Sequence, residues 1–159
     1  NIRYEGFGPK RIAVIVETLT NNKNRTASNL RTIFQKNGGN LGTQGSSSHN
    51  FKQTGVIKID YDLISEEKIL ELALNAGAED CISYDKDFHE ILCEKEQIYK
   101  VKKLLETDID AFISTGIDWI PVIFIEVNKH EKEDIISFLE NLEDDEDVQN
   151  VYSNVKFID

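Results

Sequence analysis

Glycine is concentrated between residues 38 and 45, where four of the nine glycines in this 159-residue chain fall within eight positions: Gly38, Gly39, Gly42 and Gly45. Glycine loses more backbone entropy on folding than other residues, so this density favours backbone that needs positive φ or close approach by another group. Its N–H groups are candidates to hold an anion such as a nucleic-acid phosphate. The alternative is a loop that only bends the chain between a helix and a strand.

The charge of the chain is divided unevenly along its length. Residues 1–60 carry nine Lys/Arg and three acids, whereas residues 61–159 carry nine Lys/Arg and twenty-six acids, giving +6 and −17 and a net charge of −11. Salt screens each field beyond about 8–10 Å, so a basic part attracts a polyanion even when the total charge opposes binding. The asymmetry indicates different partners for the two parts, with a polyanion suited to the first part. The acidic part is predicted either to contact a protein or simply to keep the chain soluble.

Several classes of protein are disfavoured by the sequence. No apolar run approaches the eighteen or more residues of a membrane span, and no signal-peptide pattern is present, so we expect no membrane partner. Two cysteines without a secretory signal favour reduced thiols. No Cys-x-x-Cys or His-x-x-x-His spacing indicates a metal site, and no cofactor is implied. The chain starts at Asn1 and lacks methionine, which indicates a fragment of a longer product. We expect cytoplasmic localisation, or the mitochondrial matrix if the source is eukaryotic.

Hydrophobic spacing predicts the elements of the first part. Residues 12–16 are β-branched and nearly continuous, as in a buried strand. Apolar residues recur at helical spacing after residues 24–26, which carry helix-capping side chains, and Gly38 fits the end of that helix. Residues 46–51 and 55–59 are predicted as two short strands around a polar turn at residues 52–54.

The last part repeats the same plan. Residues 120–126 resemble residues 12–17, and a helix over 131–142 and a strand over 148–157 follow. Two β-α-β halves can complete one antiparallel sheet with helices on one face, the ferredoxin-like arrangement. The sequence therefore predicts an α+β fold with a discontinuous α+β domain formed by residues 1–60 plus 119–159.

Residues 61–118 form the predicted inserted domain. Ser65 is placed to cap a helix that ends near Gly77. A hairpin between Cys81 and Cys93, a helix over residues 97–105 and a strand near residues 111–114 follow. This domain is also predicted to be α+β.

Residues 4–11 carry two aromatic rings, two glycines, a proline and two cations in one short stretch. Tyr4 and Phe7 with Lys10 and Arg11 supply the stacking and phosphate neutralisation by which single-stranded nucleic acid is bound. The alternative is a turn whose rings cover the edge of a sheet.

The sequence contains no assembled catalytic set. Glu17 and Glu126 end the two matching strands and suit solvated or ion-paired roles better than acid–base work. The acidic run 143–147 lacks the spacing and glycine of an EF-hand. We therefore predict a non-enzymatic protein, and a small-ligand sensor remains an alternative class. No helix shows an Arg/Asn/Gln series at groove-reading positions, so sequence-specific base contacts are not predicted.

Four stretches together resemble the YebC/PmpR family, which includes the mitochondrial translational activator of cytochrome c oxidase subunit I. They are Tyr-Glu-Gly-Phe-Gly-Pro at 4–9, Asn-Arg-Thr at 24–26, the glycine stretch at 38–46, and Asp-Val-Gln-Asn-Val-Tyr-Ser-Asn at 147–154. Phe7 departs from the family's usual tyrosine. Residues 122–124 are more apolar than the family's usual segment, which indicates a stronger core strand.

The resemblance implies a helical, basic N-terminal domain, absent from this chain, followed by the two α+β domains. It also implies a nucleic-acid-binding regulator of gene expression, of the DNA-binding transcriptional type. The alternative is a ribosome-associated translation factor that contacts ribosomal RNA and relieves stalling. The candidate nucleic-acid-binding residues are Tyr4, Phe7, Lys10, Arg11, Asn24, Arg25, Arg31, Lys36, Gly42 and Ser46.

Overall fold

The structure, a computed structural model, describes residues 1–159. Its helices are α1 Lys23–Lys36, α2 Glu66–Asn75, α3 Ile98–Leu105 and α4 Lys132–Glu143. Its strands are β1 Ile2–Phe7, β2 Ala13–Thr18, β3 Asn40–Leu41, β4 Phe51–Asp60, β5 Asp80–Tyr84, β6 Phe88–Glu94, β7 Ser114–Pro121, β8 Ile125–Asn128, β9 Val148–Ser153 and β10 Val155–Ile158. None of the helices has the length and apolar character needed to cross a membrane.

The chain divides into two compact units. Unit 1 contains Asn1–Lys52 and Trp119–Asp159, and unit 2 contains Gln53–Asp118. The sequence places the first domain boundary after residue 60, which is the end of β4, whereas in the structure the boundary falls after Lys52, near the start of β4. The difference arises because residues 54–60 pair with β6 and so belong to unit 2.

Unit 1 is built on an antiparallel sheet with the strand order β3-β1-β2-β9. Val14 and Val16 point towards the core beneath α1 and α4, whereas Ala13 and Ile15 pack in a second core with Phe51. Because β2 is buried on both faces, its apolar run is nearly continuous, as the sequence predicts.

The two helices of unit 1 pack on the same face of this sheet. Phe34 of α1 and Phe138 of α4 are fully buried, and their rings meet edge to face with centroids 5.2 Å apart. Leu30 and Ile135 complete the contact, one turn before each ring. The helical spacing read from the sequence therefore corresponds to the buried stripe of each helix.

The predicted strand over residues 120–126 is wrong. β7 ends at Pro121, and the backbone N–H groups of Val122 and Ile123 donate to the Asn50 carbonyl at 2.8 and 3.3 Å, which breaks the strand. Val122, Ile123 and Phe124 are 57%, 50% and 53% exposed, so this segment is not a core strand. β8 then begins at Ile125.

The single final strand predicted over residues 148–157 is instead two strands, β9 and β10. Asn154 separates β9 from β10 and is buried, and its amide accepts from Ala13 N at 2.7 Å and donates to the Ile123 carbonyl at 2.9 Å. β10 pairs in parallel with β8 in a separate two-stranded sheet. The α+β class is confirmed, but the two β-α-β segments do not close one sheet.

Unit 2 is a four-stranded sheet with the order β5-β6-β4-β7 and two helices. Ser65 caps α2 by accepting a hydrogen bond from Lys68 N at 3.1 Å, as predicted. The predicted hairpin is formed by β5 and β6. The two cysteines are free, and Cys81 lies opposite Ile91 while Cys93 lies opposite Gly55, so they are not partners across the hairpin.

Two elements before and within β4 differ from the prediction. Ser48–Asn50 forms one turn of 3₁₀ helix, where a strand is predicted. The predicted turn at residues 52–54 lies inside β4, with Thr54 opposite Glu94 of β6. Polar side chains are tolerated there because a long-range strand pairing, which local sequence does not reveal, fixes the backbone.

Candidate nucleic-acid interface of unit 1

Residues 4–7, from the stretch considered for binding single-stranded nucleic acid, belong to β1. The half-buried Tyr4 ring packs on the core between sheet and helices, and its hydroxyl donates to the Lys23 carbonyl at 3.3 Å. Phe7 packs against the second core, which contains Ala13 and Ile15. Both rings cover the sheet, as in the alternative considered for this stretch, and neither projects freely for base stacking.

The two cations of the same stretch lie in a tight turn after β1. Gly8 N donates to the Ile12 carbonyl at 2.8 Å and closes the turn. Lys10 and Arg11 both have left-handed backbone, with φ of 60° and 64°. Non-glycine residues seldom adopt this conformation, and such strain is concentrated at functional sites. A Cβ on Gly8 would come within 2.5 Å of the Phe138 ring, so close packing against α4 fixes the turn.

The turn meets the glycine stretch backbone to backbone. A Cβ on Gly39 would lie 2.3 Å from the Phe7 carbonyl oxygen and 2.9 Å from Gly8 Cα, so only glycine fits. A concave pocket of about 690 Å³ is formed there by Phe7, Gly8, Arg11, Gly38, Gly39, Asn40 and Ile125. The predicted close approach at the glycine stretch is thus made by the chain's own turn.

A second pocket is lined by other residues of the same turn. It has a volume of about 320 Å³, and its lining includes Lys10 and Lys36 together with Glu131 and Asp134. Lys10 Nζ lies 3.4 Å from Glu131 Oε2, whereas Arg11 and Lys36 are exposed and form no ion pair. The structure therefore brings three predicted cations together and leaves two of them without an acidic partner.

Arg25 lies in a different cluster. Its guanidinium Nη2 contacts both Asp147 oxygens, at 2.8 and 2.9 Å, and the Thr26 hydroxyl contacts the same carboxylate at 2.7 Å. Hydrogen bonds from Thr26 and then Arg25 lower the pKa of Asp147. The 24–26 and 147–154 motifs thus meet to join α1 to the start of β9, and Arg25 already has an anionic partner.

The remaining helix candidates are exposed on α1. Asn24 lies in the first turn rather than at the cap, because the cap residue is Asn22, whose Oδ1 accepts from Arg25 N at 3.1 Å. Arg31 is exposed and forms no ion pair. Both side chains are accessible to a partner.

The sequence did not predict a role for Glu5, whose carboxylate organises the glycine loop, residues 38–48. Its carboxylate is fully buried and accepts from the backbone N–H groups of Gly45, Ser47 and Ser48 at 2.9, 3.1 and 2.7 Å, and from Arg3 Nε at 3.0 Å. Burial opposes its charge, but these hydrogen bonds lower the pKa of Glu5 to about 2. The anion at this part of the loop is therefore the chain's own carboxylate. The sequence signal that could have identified Glu5 is that it is the only acid among the first sixteen residues and lies in a stretch with strand character.

Gly42 and Ser46 pack within the same loop. Gly42 N donates to the Glu5 carbonyl at 2.8 Å, and a Cβ on Gly42 would come within 2.7 Å of Ser46 Oγ. Ser46 Oγ is buried without a hydrogen-bond partner. Packing within the loop therefore explains why glycine and serine stand at these two candidate positions.

Comparison with known proteins is consistent with this architecture. The family described as TACO1/YebC second and third domain matches residues 1–155. A "probable transcriptional regulatory protein" of Pelagibacter ubique is 62% identical over 157 residues, which are 99% of this chain and 65% of that protein. A protein of the same description from Persephonella marina is 44% identical over 95% of this chain and 61% of its own length.

A solved structure shows the same fold. The crystal structure of a conserved hypothetical protein from Aquifex aeolicus matches with a TM-score of 0.91 and 36% identity, over 99% of this chain and 65% of that chain. The chain thus spans a little under two thirds of the length of these relatives. The family resemblance read from the sequence is confirmed: the chain belongs to the TACO1/YebC family, whose second and third domains its residues 1–155 match.

Proposed function

We propose that this chain is the part of a gene-expression regulator that contacts nucleic acid through the turn over residues 8–12 of unit 1. This turn carries Lys10 and Arg11 and is called the basic turn below. The observation that supports the proposal best is Arg11, which is exposed, has no acidic partner, and is held in left-handed backbone at a glycine-lined pocket. Lys36 and Lys10 line the second pocket at this turn. Arginine and lysine in such a position suit phosphate contacts, which position a protein on nucleic acid without reading its sequence.

Charge and relatives support the same proposal. Residues 1–52 of unit 1 carry eight Lys/Arg and two acids, so the segment that contains the turn has an excess of positive charge. The relatives from Pelagibacter and Persephonella are named probable transcriptional regulatory proteins. Duplex DNA is accordingly the first target in this proposal, and the chain acts there as a binding protein rather than as an enzyme.

The acids near the turn determine how the binding is best measured. Glu131 and Asp134 line the same pocket as Lys10, and the whole chain carries −11. Binding through phosphate contacts weakens with salt in proportion to the number of contacts, because each contact releases counterions. The salt dependence of affinity therefore measures the number of phosphates that the protein neutralises.

The test is fluorescence anisotropy of a labelled DNA duplex with the full chain over a salt series. Replacing Arg11 and Lys36 together, Arg11→Gln with Lys36→Gln, should weaken binding and reduce the slope of log K against log[salt] by about 0.9 for each phosphate that is no longer neutralised. Lys156→Gln is the matched control, since Lys156 is an exposed cation of unit 1 outside both pockets. An unchanged slope in the double variant would contradict the proposed surface.

Ribosomal RNA is the second candidate target. The three cations lie on a turn and at the end of α1, a placement that favours backbone contacts, and structured RNA is recognised largely through its backbone and shape. Co-sedimentation of the chain with ribosomes, with duplex DNA as competitor, separates the two targets. Retention on ribosomes despite DNA would assign the surface to translation, and displacement by DNA would support the transcriptional proposal.

A further inference from the structure

A polar and aromatic cluster lies at the opposite end of β1 from the basic turn. The guanidinium carbon of Arg3 lies 5.0 Å from the centre of the Trp119 ring, and Trp119 Nε1 donates to Glu17 Oε2 at 3.3 Å. Asn150 Nδ2 and the Tyr152 hydroxyl donate to Glu17 Oε1 at 3.3 and 3.4 Å. All three bonds are longer than the usual range of roughly 2.7–3.2 Å, so competing donors can displace them.

This cluster borders a polar pocket of about 440 Å³. Arg3, Glu17, Gln44, Gln149 and Asn150 all line the pocket. Gln44, Gln149 and Asn150 are exposed, so their amides are able to turn towards a ligand. The pocket thus combines a carboxylate that accepts hydrogen bonds, several amides that donate and accept, and a guanidinium that lies over an indole ring.

These groups match one planar ligand better than others. The Watson–Crick edge of guanine presents two adjacent N–H donors, at N1 and N2, beside the O6 acceptor. A carboxylate such as Glu17 accepts both donors in parallel, and an amide N–H of Gln149 or Asn150 suits O6. The corresponding edges of adenine, cytosine and uracil lack two adjacent donors. Unpaired bases are also stacked on arginine planes, as Arg3 would allow.

We propose that this pocket binds an unpaired guanine base of single-stranded nucleic acid. Glu17 accepts from N1–H and N2–H₂, an amide of Gln149 or Asn150 donates to O6, and the Arg3–Trp119 pair supports the base. This inference rests on the proposed function, because the strand is held by the same unit that carries the basic turn. Arg3 and Phe7 are four residues apart on β1, roughly 14 Å, so a single nucleic-acid strand can reach both the pocket and the turn.

The first experiment measures base preference with the full chain. Pentanucleotides UUGUU, UUIUU, UUAUU and UUCUU, and the DNA series TTGTT, TTITT, TTATT and TTCTT, are titrated while the fluorescence of Trp119, the only tryptophan, is recorded. The guanine sequences should bind at least roughly fivefold more tightly than the others, the lower end of discrimination by a bidentate base contact. Inosine, which lacks only the N2 amino group, isolates the second donor. The two series show whether RNA or DNA supplies the base.

Variants separate this pocket from the basic turn. Glu17→Gln should remove the preference for guanine and leave the salt slope unchanged, whereas Arg11→Gln should weaken all sequences by the same factor and keep the preference. Gln149→Ala, at an exposed position, should reduce the preference without unfolding the chain. Glu126→Gln is the control, because Glu126 is an exposed acid of unit 1 outside the pocket.

The outcomes distinguish the two proposals. Equal affinity for all bases, or a guanine preference that survives Glu17→Gln and Gln149→Ala, would overturn the guanine site and leave the proposed function standing. Failure of every sequence to bind, with duplex DNA and ribosomes also unbound, would overturn the proposed function and the guanine site with it. A preference for guanine that disappears in Glu17→Gln but persists in Glu126→Gln supports the guanine site.

Discussion

The carboxylate of Glu5 has no exposure to solvent, and the backbone of the glycine loop surrounds it with N–H donors. Its pKa falls from an ordinary 4.5 to about 2, because the hydrogen bonds to the charged form outweigh the effect of burial. The unfolded chain keeps the ordinary value. The ionised carboxylate therefore stabilises the folded state above pH 4.5, and this contribution is lost as the pH falls from 4.5 towards 2.

Replacing this carboxylate by an amide tests the argument. Glu5→Gln should lower the free energy of unfolding at pH 7 by about 3 kcal/mol, since each unit by which the pKa is lowered corresponds to about 1.4 kcal/mol. The difference between wild type and variant should narrow as the pH falls to 2. Urea denaturation over this pH range measures it, with Glu126→Gln expected within about 0.5 kcal/mol of wild type. A difference that stays constant with pH would mean that the charge of Glu5 is not what stabilises the loop.

At the level of elements, the sequence predicts what depends on local spacing. Leu30 and Phe34 are buried, as their helical period requires, and Ser65 caps α2. The errors occur where a distant residue decides the backbone. The apolar residues 122–124 are predicted as a strand, but the N–H groups of Val122 and Ile123 bond to the Asn50 carbonyl, which lies far earlier in the chain. The polar residues 52–54 are predicted as a turn, but they lie in a strand that pairs with β6.

The same limit applies to the candidate site. Charge alone selects Lys10, Arg11, Arg25 and Lys36 equally well. Only the folded chain shows that Arg25 contacts Asp147, 122 residues further on, and that Arg11 has no such partner. Composition therefore predicts that unit 1 has a basic surface, whereas tertiary contacts determine which cations are available.

Thr26 gives a prediction for the junction between α1 and β9. Its buried hydroxyl lies 2.7 Å from Asp147 Oδ2 and 2.8 Å from Thr20 Oγ1. Thr26→Val keeps the shape but removes a donor to a buried carboxylate, which should cost about 1–3 kcal/mol of unfolding free energy. Thr32→Val is the matched control, since Thr32 is exposed on the same helix. Chemical denaturation measures both, and equal effects would refute a special role for the Thr26 contact.

Across the whole molecule, charge differs between the two units. Unit 1 carries eleven Lys/Arg and thirteen acids, a net −2, and unit 2 carries seven and sixteen, a net −9. Within unit 1 the excess of positive charge lies in residues 1–52, which carry eight Lys/Arg and two acids and include both the basic turn and Arg3. A polyanion is therefore attracted to one part of the chain and repelled by unit 2, since screening confines each field to about 8–10 Å.

Hydrogen exchange of the full chain with excess duplex DNA tests this division directly. Amides of residues 8–12 and 36–40 should exchange more slowly when DNA is bound, because they surround the two pockets at the turn. Amides of β5, β6 and α2 should be unchanged, since unit 2 repels phosphate. Raising the salt to about 0.5 M should abolish the protection, because counterion release no longer favours binding. Protection that instead appears in unit 2, or persists at high salt, would show that the cations of the turn do not bind the DNA.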